Sequence, residues 1–255
     1  MSKDAEKYEL SNYLIMKIIE QINLATNIEY LIKNLPDRLP VRSASYHHFA
    51  AVGAWDFKNL SQFYAYNIPE NIVSYYRKFC NHEPHAGVAE VYAKGQPYWY
   101  SDMLELRSVA KAGHYELGQI SLSILGEGLC LPLFGPNNRK GYIYISFYLE
   151  RDKFSQVFKH QVHSLAQIFH TRYCVMLEQL NKKVKLTPRQ AEVLELVSFG
   201  KTNSEIAQIL DLSTSTVSGY LKNIFLKLEV SDRVSAAMRA QTIRLDNFGG
   251  TKKVK

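Results

Sequence analysis

The clearest chemical pattern in this 255-residue chain lies near its C-terminus, where two short predicted helices are joined by a tight turn. The sequence predicts helices over Asn203–Leu210 and Thr214–Leu228, with the turn at Asp211-Leu212 between them. A polar stripe begins the second helix, and the DNA major groove admits one helix and presents donors and acceptors to it. The pattern therefore predicts a helix-turn-helix, in which the candidate DNA-contacting residues are Lys201, Ser213, Thr214, Ser215, Thr216, Ser218, Lys222 and Asn223.

The positive charge of the chain is concentrated in the same region. Of the net charge of +7, +6 falls in Lys182–Lys255, which holds 13 basic and 7 acidic residues. A basic segment attached to a nearly neutral remainder is typical of a module that binds a polyanion. The terminal lysines Lys252, Lys253 and Lys255 supply part of the excess, so charge alone leaves nucleic-acid binding and a solvated basic tail open.

Local capping signals predict the helices that must position this polar stripe. Thr187–Gln190 and Thr202–Glu205 both match the capping-box pattern, in which a hydroxyl and a carboxyl or amide side chain satisfy the first amides of a helix. Ser213 and Ser231 are expected to cap the third and fourth helices. An apolar inner face that would fix the angle between the helices is formed by Ile206, Ala207, Leu210, Leu212, Val217, Leu221 and Ile224.

The segment Leu186–Leu245 closely resembles the DNA-binding domain of LuxR-type transcription regulators. The matching residues are Leu186, Thr187, Arg189, Glu192, Val193, Leu194, Gly200, Glu205, Ile206, Ala207, Leu212, Ser213, Thr216, Val217, Asn223, Ile224, Lys227, Leu228 and Arg233. The resemblance implies a four-helix domain that binds double-stranded operator DNA as a homodimer. Gln190 stands where the family usually has Glu, and Tyr220 stands where it often has His.

Helix and strand patterns alternate in the part of the chain that precedes this segment. The turn-rich sequence Gly135-Pro136-Asn137-Asn138 predicts a hairpin between strands at Gly128–Leu133 and Gly141–Tyr148. Apolar residues at three- and four-residue steps predict a long helix over Asp152–Leu180. Shorter elements are expected as helices at Tyr8–Leu24, Asn27–Asn34 and Pro69–Phe79 and as strands at Ser45–Val52 and Gln62–Tyr66, while Gly87–Tyr92 is ambiguous.

The expected fold class is α+β. An N-terminal α-β-α sandwich with an antiparallel sheet is predicted for residues 1–180, and a short linker for residues 181–185. A four-helix helix-turn-helix domain is predicted for residues 186–248, followed by a basic tail at residues 249–255.

The N-terminal part resembles the acyl-homoserine-lactone-binding domain of quorum-sensing LuxR proteins. The segments that carry this resemblance are Gly126–Pro136, Glu83-Pro84 and Pro97–Trp99. The family pattern Trp–Tyr–Asp–Pro–Trp–Gly corresponds here to Ile72, or to no residue, at its first position and then to Tyr76, Glu83, Pro84, Trp99 and Gly128. The resemblance implies a sensor and dimerisation domain, and together with strand alternation it gives as candidate ligand-binding residues Tyr76, Glu83, Trp99, Gly128, Tyr142 and Tyr144.

The departures from the family pattern fall where the head group of a lactone would bind. Ile72 replaces a Trp that donates to the lactone carbonyl, Glu83 replaces an Asp, and Tyr144 replaces a small hydroxyl residue. An acceptor left unsatisfied costs about 1–3 kcal/mol, so we expect a weak response or none to ordinary acyl-homoserine lactones. The pocket then recognises a lactone differently, binds another small apolar molecule, or binds nothing and serves only as a dimerisation or protein-interaction platform.

Other functional classes find little support in the sequence. No nucleophile–base signature or phosphate-binding loop is present, which disfavours the rival hypothesis of a hydrolase or transferase fused to a DNA-binding domain. His160, His163 and His170 on the long helix and the histidines of residues 82–85 are expected to be surface or loop residues, and no metal or other cofactor is expected.

The sequence also indicates the compartment. Three cysteines and the absence of a long apolar run favour a protein of the reducing cytoplasm without a membrane partner.

Overall fold

The computed structural model describes residues 7–27, 39–50, 63–79, 86–105, 122–180 and 184–242, with the backbone alone for residues 75–79, 86–87, 179–180 and 241–242. The chain divides into two compact units, with the division in the C-terminal part between Glu178 and Gln179. The first unit combines helices with a sheet, and the second is helical in its described residues. Within the described ranges, no helix has both the length and the apolar character needed to cross a membrane.

The first unit is built on a five-stranded antiparallel sheet. In chain order its strands are β1 (Val41–Phe49), β2 (Phe63–Tyr66), β3 (Tyr98–Trp99), β4 (Gly128–Phe134) and β5 (Lys140–Phe147). Their spatial order is β2-β1-β5-β4-β3. The predicted β4–β5 hairpin is confirmed, because Leu133 pairs with Gly141 and the turn holds Asn137 and Asn138 at positive φ, a conformation that Asn tolerates.

Helices cover both faces of this sheet. In chain order they are α1 (Asn12–Leu24), α2 (Glu70–Phe79), α3 (Ala86–Lys94), α4 (Tyr100–Leu104) and α5 (Gln156–Leu180). One core lies between the sheet and the helices α1 and α5, and it includes Ile18, Tyr46, Leu131, Ile145 and Phe158. The other core joins the opposite face to residues of α2, α3 and α4, so the expected α-β-α sandwich is confirmed.

Capping explains where two of the helices begin. Helix α1 starts at Asn12 and not at Tyr8, because the Ser11 hydroxyl accepts from the Leu14 amide. The long helix starts at Gln156 and not at Asp152, because the Ser155 hydroxyl accepts from the Phe158 amide. The ambiguous segment around Gly87 is the helix α3, whereas the helix predicted over Asn27–Asn34 falls almost wholly outside the described residues.

The second unit consists of the helices α6 (Pro188–Ser198), α7 (Asn203–Leu210), α8 (Thr214–Leu228) and α9 (Arg233–Thr242). Both predicted capping boxes are present, at Thr187 and Thr202. The fourth cap differs from the prediction: Asp232 and not Ser231 accepts from the Ser235 amide, at 2.8 Å. The core between these helices includes Leu194, Val197, Ile206, Val217 and Ile224.

Candidate DNA interface and ligand site

The turn between α7 and α8 orients the start of α8. Asp211 adopts a left-handed conformation that ends α7, and the Leu212 amide returns to the Ala207 carbonyl at 2.8 Å. The Ser213 hydroxyl then accepts from the Thr216 amide at 3.0 Å and caps α8. Because Val217, Leu221 and Ile224 are buried on one side of α8, the exposed residues Ser218, Lys222 and Asn223 face away from the core.

The polar stripe predicted from the sequence is exposed on α8. The exposed candidates are Ser213, Thr214, Ser215, Thr216, Ser218, Lys222 and Asn223. The first turn of a helix also presents backbone amides with a positive partial charge, which suits a phosphate group. The structure therefore brings hydroxyl, amide and ammonium donors together on one exposed helix face.

Lys201 lies before α7 and does not belong to this stripe. Its ammonium group is 3.4 Å from the Glu205 carboxylate, with both side chains about half exposed. The pKa of Glu205 is lowered, chiefly by its hydrogen bond from the Thr202 amide and also by Thr202 hydroxyl and Lys201 contacts. Contact of Lys201 with DNA remains a prediction.

Two residues that support the stripe were not predicted from the sequence. The Asn203 amide donates to the Ser218 hydroxyl at 3.1 Å, which links α7 to α8. The Arg233 guanidinium donates to the Asn203 side-chain oxygen at 2.9 Å and to the Lys201 carbonyl. Ser218 itself donates to the Thr214 carbonyl, so its hydroxyl also holds the stripe in place. These contacts join residues 15 and 30 positions apart, which spacing patterns do not detect.

In the first unit, one face of the sheet carries buried polar groups side by side. Strand pairing aligns Ser45 with Tyr144 and His47 with Tyr142 on this face. All four are buried, and Ser43 and Ser146 next to them share a 2.7 Å hydrogen bond. A sheet face lined with hydroxyl and imidazole groups is suited to a ligand that presents polar atoms along its length.

The two tyrosines of β5 occupy this face as predicted from strand alternation. The Tyr144 hydroxyl donates to the Gly126 carbonyl at 2.7 Å, and its ring packs edge-on against Tyr100. Burial raises the pKa of the neighbouring Cys130 thiol to about 12, although a hydrogen bond with Tyr142 acts in the opposite direction. Binding of a ligand by Tyr142 and Tyr144 remains a prediction.

Trp99 does not lie on the same sheet face as these tyrosines, contrary to the expected common site, and its contact with a ligand remains a prediction. Its side chain lies in the core on the other face of the sheet, with its ring centroid 6.0 Å from that of Phe154. The Arg151 guanidinium stacks over the Trp99 ring at 5.4 Å and forms two hydrogen bonds with Asp102. Because successive strand residues face opposite sides, the neighbour Tyr98 packs instead on the side of Tyr142 and Tyr144.

Packing of the sheet explains why glycine occupies position 128 of the family pattern. A Cβ on Gly128 would lie 2.6 Å from the Ile145 carbonyl oxygen and 2.9 Å from a ring carbon of Tyr144. The close approach of β5 therefore requires glycine here, independently of any ligand.

The other two predicted ligand residues are less fully described. Tyr76 lies in residues 75–79 of α2, for which only the backbone is described, and Glu83 lies outside the described residues. Ile72, which occupies the position of the family Trp, is buried in the core beside the tyrosine face.

A cavity of about 350 Å³ opens next to this face, and none of the predicted ligand residues lines it. Its described lining residues are Arg42, Ser43, Asn67, Ile68, Pro69, Ile124 and Leu125. Arg42 lies at a register shift in β1 and donates to the Ile124 carbonyl at 2.9 Å, while the Asn67 amide donates to the Arg42 carbonyl. Strand irregularities of this kind leave no mark in hydrophobic patterns, so the sequence did not indicate Arg42 or Asn67.

Two of the three histidines of the long helix differ from the expected surface position. His163 is half-buried and lies 2.8 Å from the Pro132 carbonyl, while His160 is exposed. His170 is buried, and burial together with the nearby His48 lowers its pKa to about 3, although a hydrogen bond with the Arg139 main chain acts in the opposite direction.

Comparisons with known proteins agree with the geometry of the second unit. Residues 184–240 match the family model described as bacterial regulatory proteins, luxR family. The quorum sensing-dependent transcriptional regulator VjbR of Brucella abortus is 35% identical over 94 residues, which cover 37% of this chain and 36% of VjbR. The transcriptional regulatory protein DesR of Bacillus subtilis is 48% identical over 56 residues, which cover 22% of this chain and 28% of DesR.

The solved structures extend the likeness of fold to both units. SdiA in complex with octanoyl-rac-glycerol matches with a TM-score of 0.66 and 20% identity, over 92% of this chain and 97% of that chain. Escherichia coli SdiA in another crystal structure matches with the same TM-score over 90% and 96%. The sequence matches to VjbR and DesR span only about a third of those relatives, whereas the structural match covers nearly all of SdiA.

These matches confirm the predicted fold, and they confirm the predicted luxR-family resemblance for the C-terminal helix-turn-helix segment. The C-terminal unit of this chain is a helix-turn-helix domain of the luxR family of bacterial regulatory proteins, carried by a chain with the SdiA fold.

Proposed function

We propose that this protein is a cytoplasmic transcription regulator of the LuxR quorum-sensing type, which binds operator DNA as a homodimer and senses a small molecule through its first unit. The single observation that carries the DNA-binding part is the exposed polar face of α8, with Ser213, Ser218 and Lys222 on one side and a buried apolar side behind them. The match to the luxR family and the similarity to VjbR support the same function.

Selection from a random pool of double-stranded DNA tests this function without a known operator. The full-length protein is expected to enrich a two-fold symmetric sequence, because dimers of such modules read half-sites about one helical turn apart. A single small module buries too little surface for high specificity. Recovery of a pool without any enriched sequence would contradict the proposal.

The sensing part rests on the polar face of the sheet and on the adjacent cavity. The cavity of about 350 Å³ is within the range of small-molecule sites, and Arg42 and Asn67 supply polar groups to its wall. SdiA, the structural relative, is known in complex with octanoyl-rac-glycerol, an acyl chain with a hydroxylated head. We therefore propose an acyl-chain ligand with a head group other than a homoserine lactone, since Ile72 offers no side-chain donor to a lactone carbonyl.

Two measurements test the sensing part. Mass spectrometry of the protein from its native host is expected to detect a co-purified small molecule. Thermal unfolding is expected to shift upward with octanoyl glycerol and less with acyl-homoserine lactones, because a ligand that binds only the folded state stabilises it by mass action. A nanomolar response to a common acyl-homoserine lactone that Glu83→Ala abolishes would contradict the weak-binding proposal.

A second candidate for the first unit is a ligand-independent dimerisation platform. The observation that favours it is the saturation of the polar face by internal contacts, such as Tyr144 with Gly126 and Ser43 with Ser146. This candidate predicts that the protein folds and binds its selected DNA equally well after removal of all small molecules.

A further inference from the structure

Two imidazoles and a thiol lie together in the core beneath the sheet, on the face opposite to Tyr142 and Tyr144. His48 belongs to β1, and His170 and Cys174 belong to α5; none of the three has exposed surface. One ligand atom from each lies within 4.8 Å of those of the other two. In the described part of the chain, no other group of three or more His, Cys, Asp or Glu side chains is arranged in this way.

The separation of the two helical ligands fits a bound metal ion. Residues four apart lie on the same face of a helix, and His170 Nε2 is 3.6 Å from Cys174 Sγ. Zinc binds nitrogen at about 2.0–2.1 Å and sulfur at about 2.3 Å, so two such ligands at a tetrahedral angle lie about 3.5 Å apart. The ligand atom of His48 lies within 4.8 Å of the other two atoms. It therefore needs to approach them by at most about 1.5 Å to reach the spacing of zinc ligands, and rotation of the imidazole covers that distance.

The surroundings orient these groups and leave room between them. The Tyr46 hydroxyl lies 2.8 Å from His170 Nδ1, the kind of outer contact that fixes the ring of a metal-binding histidine and directs its other nitrogen to the metal. A Cβ on Gly135 would lie 2.7 Å from Cys174 Sγ and 2.8 Å from His170 Nε2. Glycine at this position therefore keeps side-chain atoms away from both ligand atoms.

The donor set selects the class of ion. Thiolate and imidazole suit Zn²⁺ and Cu⁺, whereas Mg²⁺ and Ca²⁺ require oxygen ligands. Binding replaces the thiol proton of Cys174 by a metal–sulfur bond and releases that proton to solvent. A bound metal ion would replace the contact between His170 Nε2 and Cys174 Sγ and would compete with the hydrogen bond between His170 and the Arg139 main chain.

We propose that His48, His170 and Cys174 form a buried site for a thiophilic metal ion, Zn²⁺ or Cu⁺, that ties strand β1 to helix α5. We assign the site a structural role, because it joins two elements of one core and has no exposed side for a substrate. The three side chains supply three of the four ligands that a tetrahedral zinc ion takes. The proposal is independent of the proposed regulatory function, since it involves neither the α8 face nor the cavity.

Metal loading of the untagged full-length protein tests the proposal. After the protein has been treated with a chelator and reloaded with Zn²⁺, we expect one Zn²⁺ per chain. In a parallel titration with Cu⁺ against a colorimetric chelator, we expect one Cu⁺ per chain. Either bound ion is expected to raise the unfolding temperature. Cys174→Ser and His48→Gln are expected to lose the ion. Cys130→Ser and His163→Gln are expected to keep it, because Cys130 lies on the other face of the sheet and His163 contacts the Pro132 carbonyl.

A cobalt experiment decides the question even if the cluster variants do not fold. In the double variant Cys80→Ser/Cys130→Ser, Cys174 is the one cysteine that remains in the sequence. Co²⁺ bound to this variant is expected to show thiolate-to-metal charge-transfer absorption. The proposal is overturned if this band is absent and the protein retains neither Zn²⁺ nor Cu⁺. It is also overturned if a folded Cys174→Ser protein binds the metal ion equally well.

Discussion

At the scale of single residues, the amide side chain of Gln190 joins helix α6 to helix α8. Its oxygen accepts from the Thr187 amide at 3.0 Å and from the Lys227 ammonium at 2.8 Å. Lys227 also donates to the Lys185 carbonyl, so one buried amide and one ammonium hold the beginning of the second unit to α8. The Gln in place of the family Glu therefore retains the capping function.

Removal of this side chain is expected to destabilise the second unit. Gln190→Ala leaves the Thr187 amide and the Lys227 ammonium without this acceptor, which costs about 1–3 kcal/mol in free energy of unfolding. Chemical denaturation measures the change, with Gln208→Ala as the matched control because Gln208 is exposed on α7. Equal stability of the two variants would show that the Gln190 contacts contribute nothing.

A second residue-scale prediction separates packing from ligand binding at Gly128. Gly128→Ala places a Cβ against the Ile145 backbone, which cannot move without disturbing the sheet. We expect a loss of about 1–3 kcal/mol in the absence of any ligand. Gly219→Ala adds the same methyl group in open space and is the control. A stable Gly128→Ala protein that has lost only its ligand response would instead assign the glycine to the ligand pocket.

At the scale of the secondary-structure elements, the glycine in the middle of α8 is a point of weakness on the exposed face. A Cβ on Gly219 would meet no atom within 4 Å, and glycine inside a helix costs about 0.5–1 kcal/mol relative to alanine. We therefore expect Gly219→Ala to raise the unfolding free energy by that amount. Calorimetry measures this gain, and no gain would mean that α8 is already constrained by its neighbours.

The second unit could be predicted closely from sequence because its signals are local. The capping residues Thr187, Thr202 and Ser213 lie within three residues of the amides they bind, and α7 and α8 have the predicted bounds. The fourth cap was misassigned because Ser231 and Asp232 are adjacent and both can accept from an amide.

The first unit was predicted less completely because its contacts are distant in sequence. Trp99 was assigned by resemblance, whereas the two-residue strand β3 points it away from Tyr142 and Tyr144. The group of His48, His170 and Cys174 joins positions more than 120 residues apart, which no spacing pattern relates. Arg42 reaches the cavity wall through a strand irregularity.

At the scale of the whole molecule, we expect a dimer. Helix α5 is buried along one side and still exposes Val157 and Val175, at 49% and 38% of their surface. Because they are 18 residues apart, or five helical turns, these two apolar residues lie on the same face of α5, which makes that face a candidate interface. We expect light scattering to show a dimer, and Val175→Glu to weaken it by placing a charge at the interface.

A matched substitution controls for a general effect of added charge. Tyr148→Glu changes an exposed aromatic residue that follows β5 and is expected to leave the dimer intact. A protein that is monomeric both free and bound to DNA would contradict the dimer.

The exposed face of α8 is proposed to contact DNA, and the salt dependence of the affinity of the full-length protein for its selected DNA measures this contact. Lys222→Ala is expected to weaken binding and to reduce the slope of log affinity against log salt by about one, the value for one lost phosphate contact. Lys17→Ala, which changes an exposed lysine on α1, is expected to leave both quantities unchanged. Unchanged affinity and slope in Lys222→Ala would remove this residue from the interface and contradict the account.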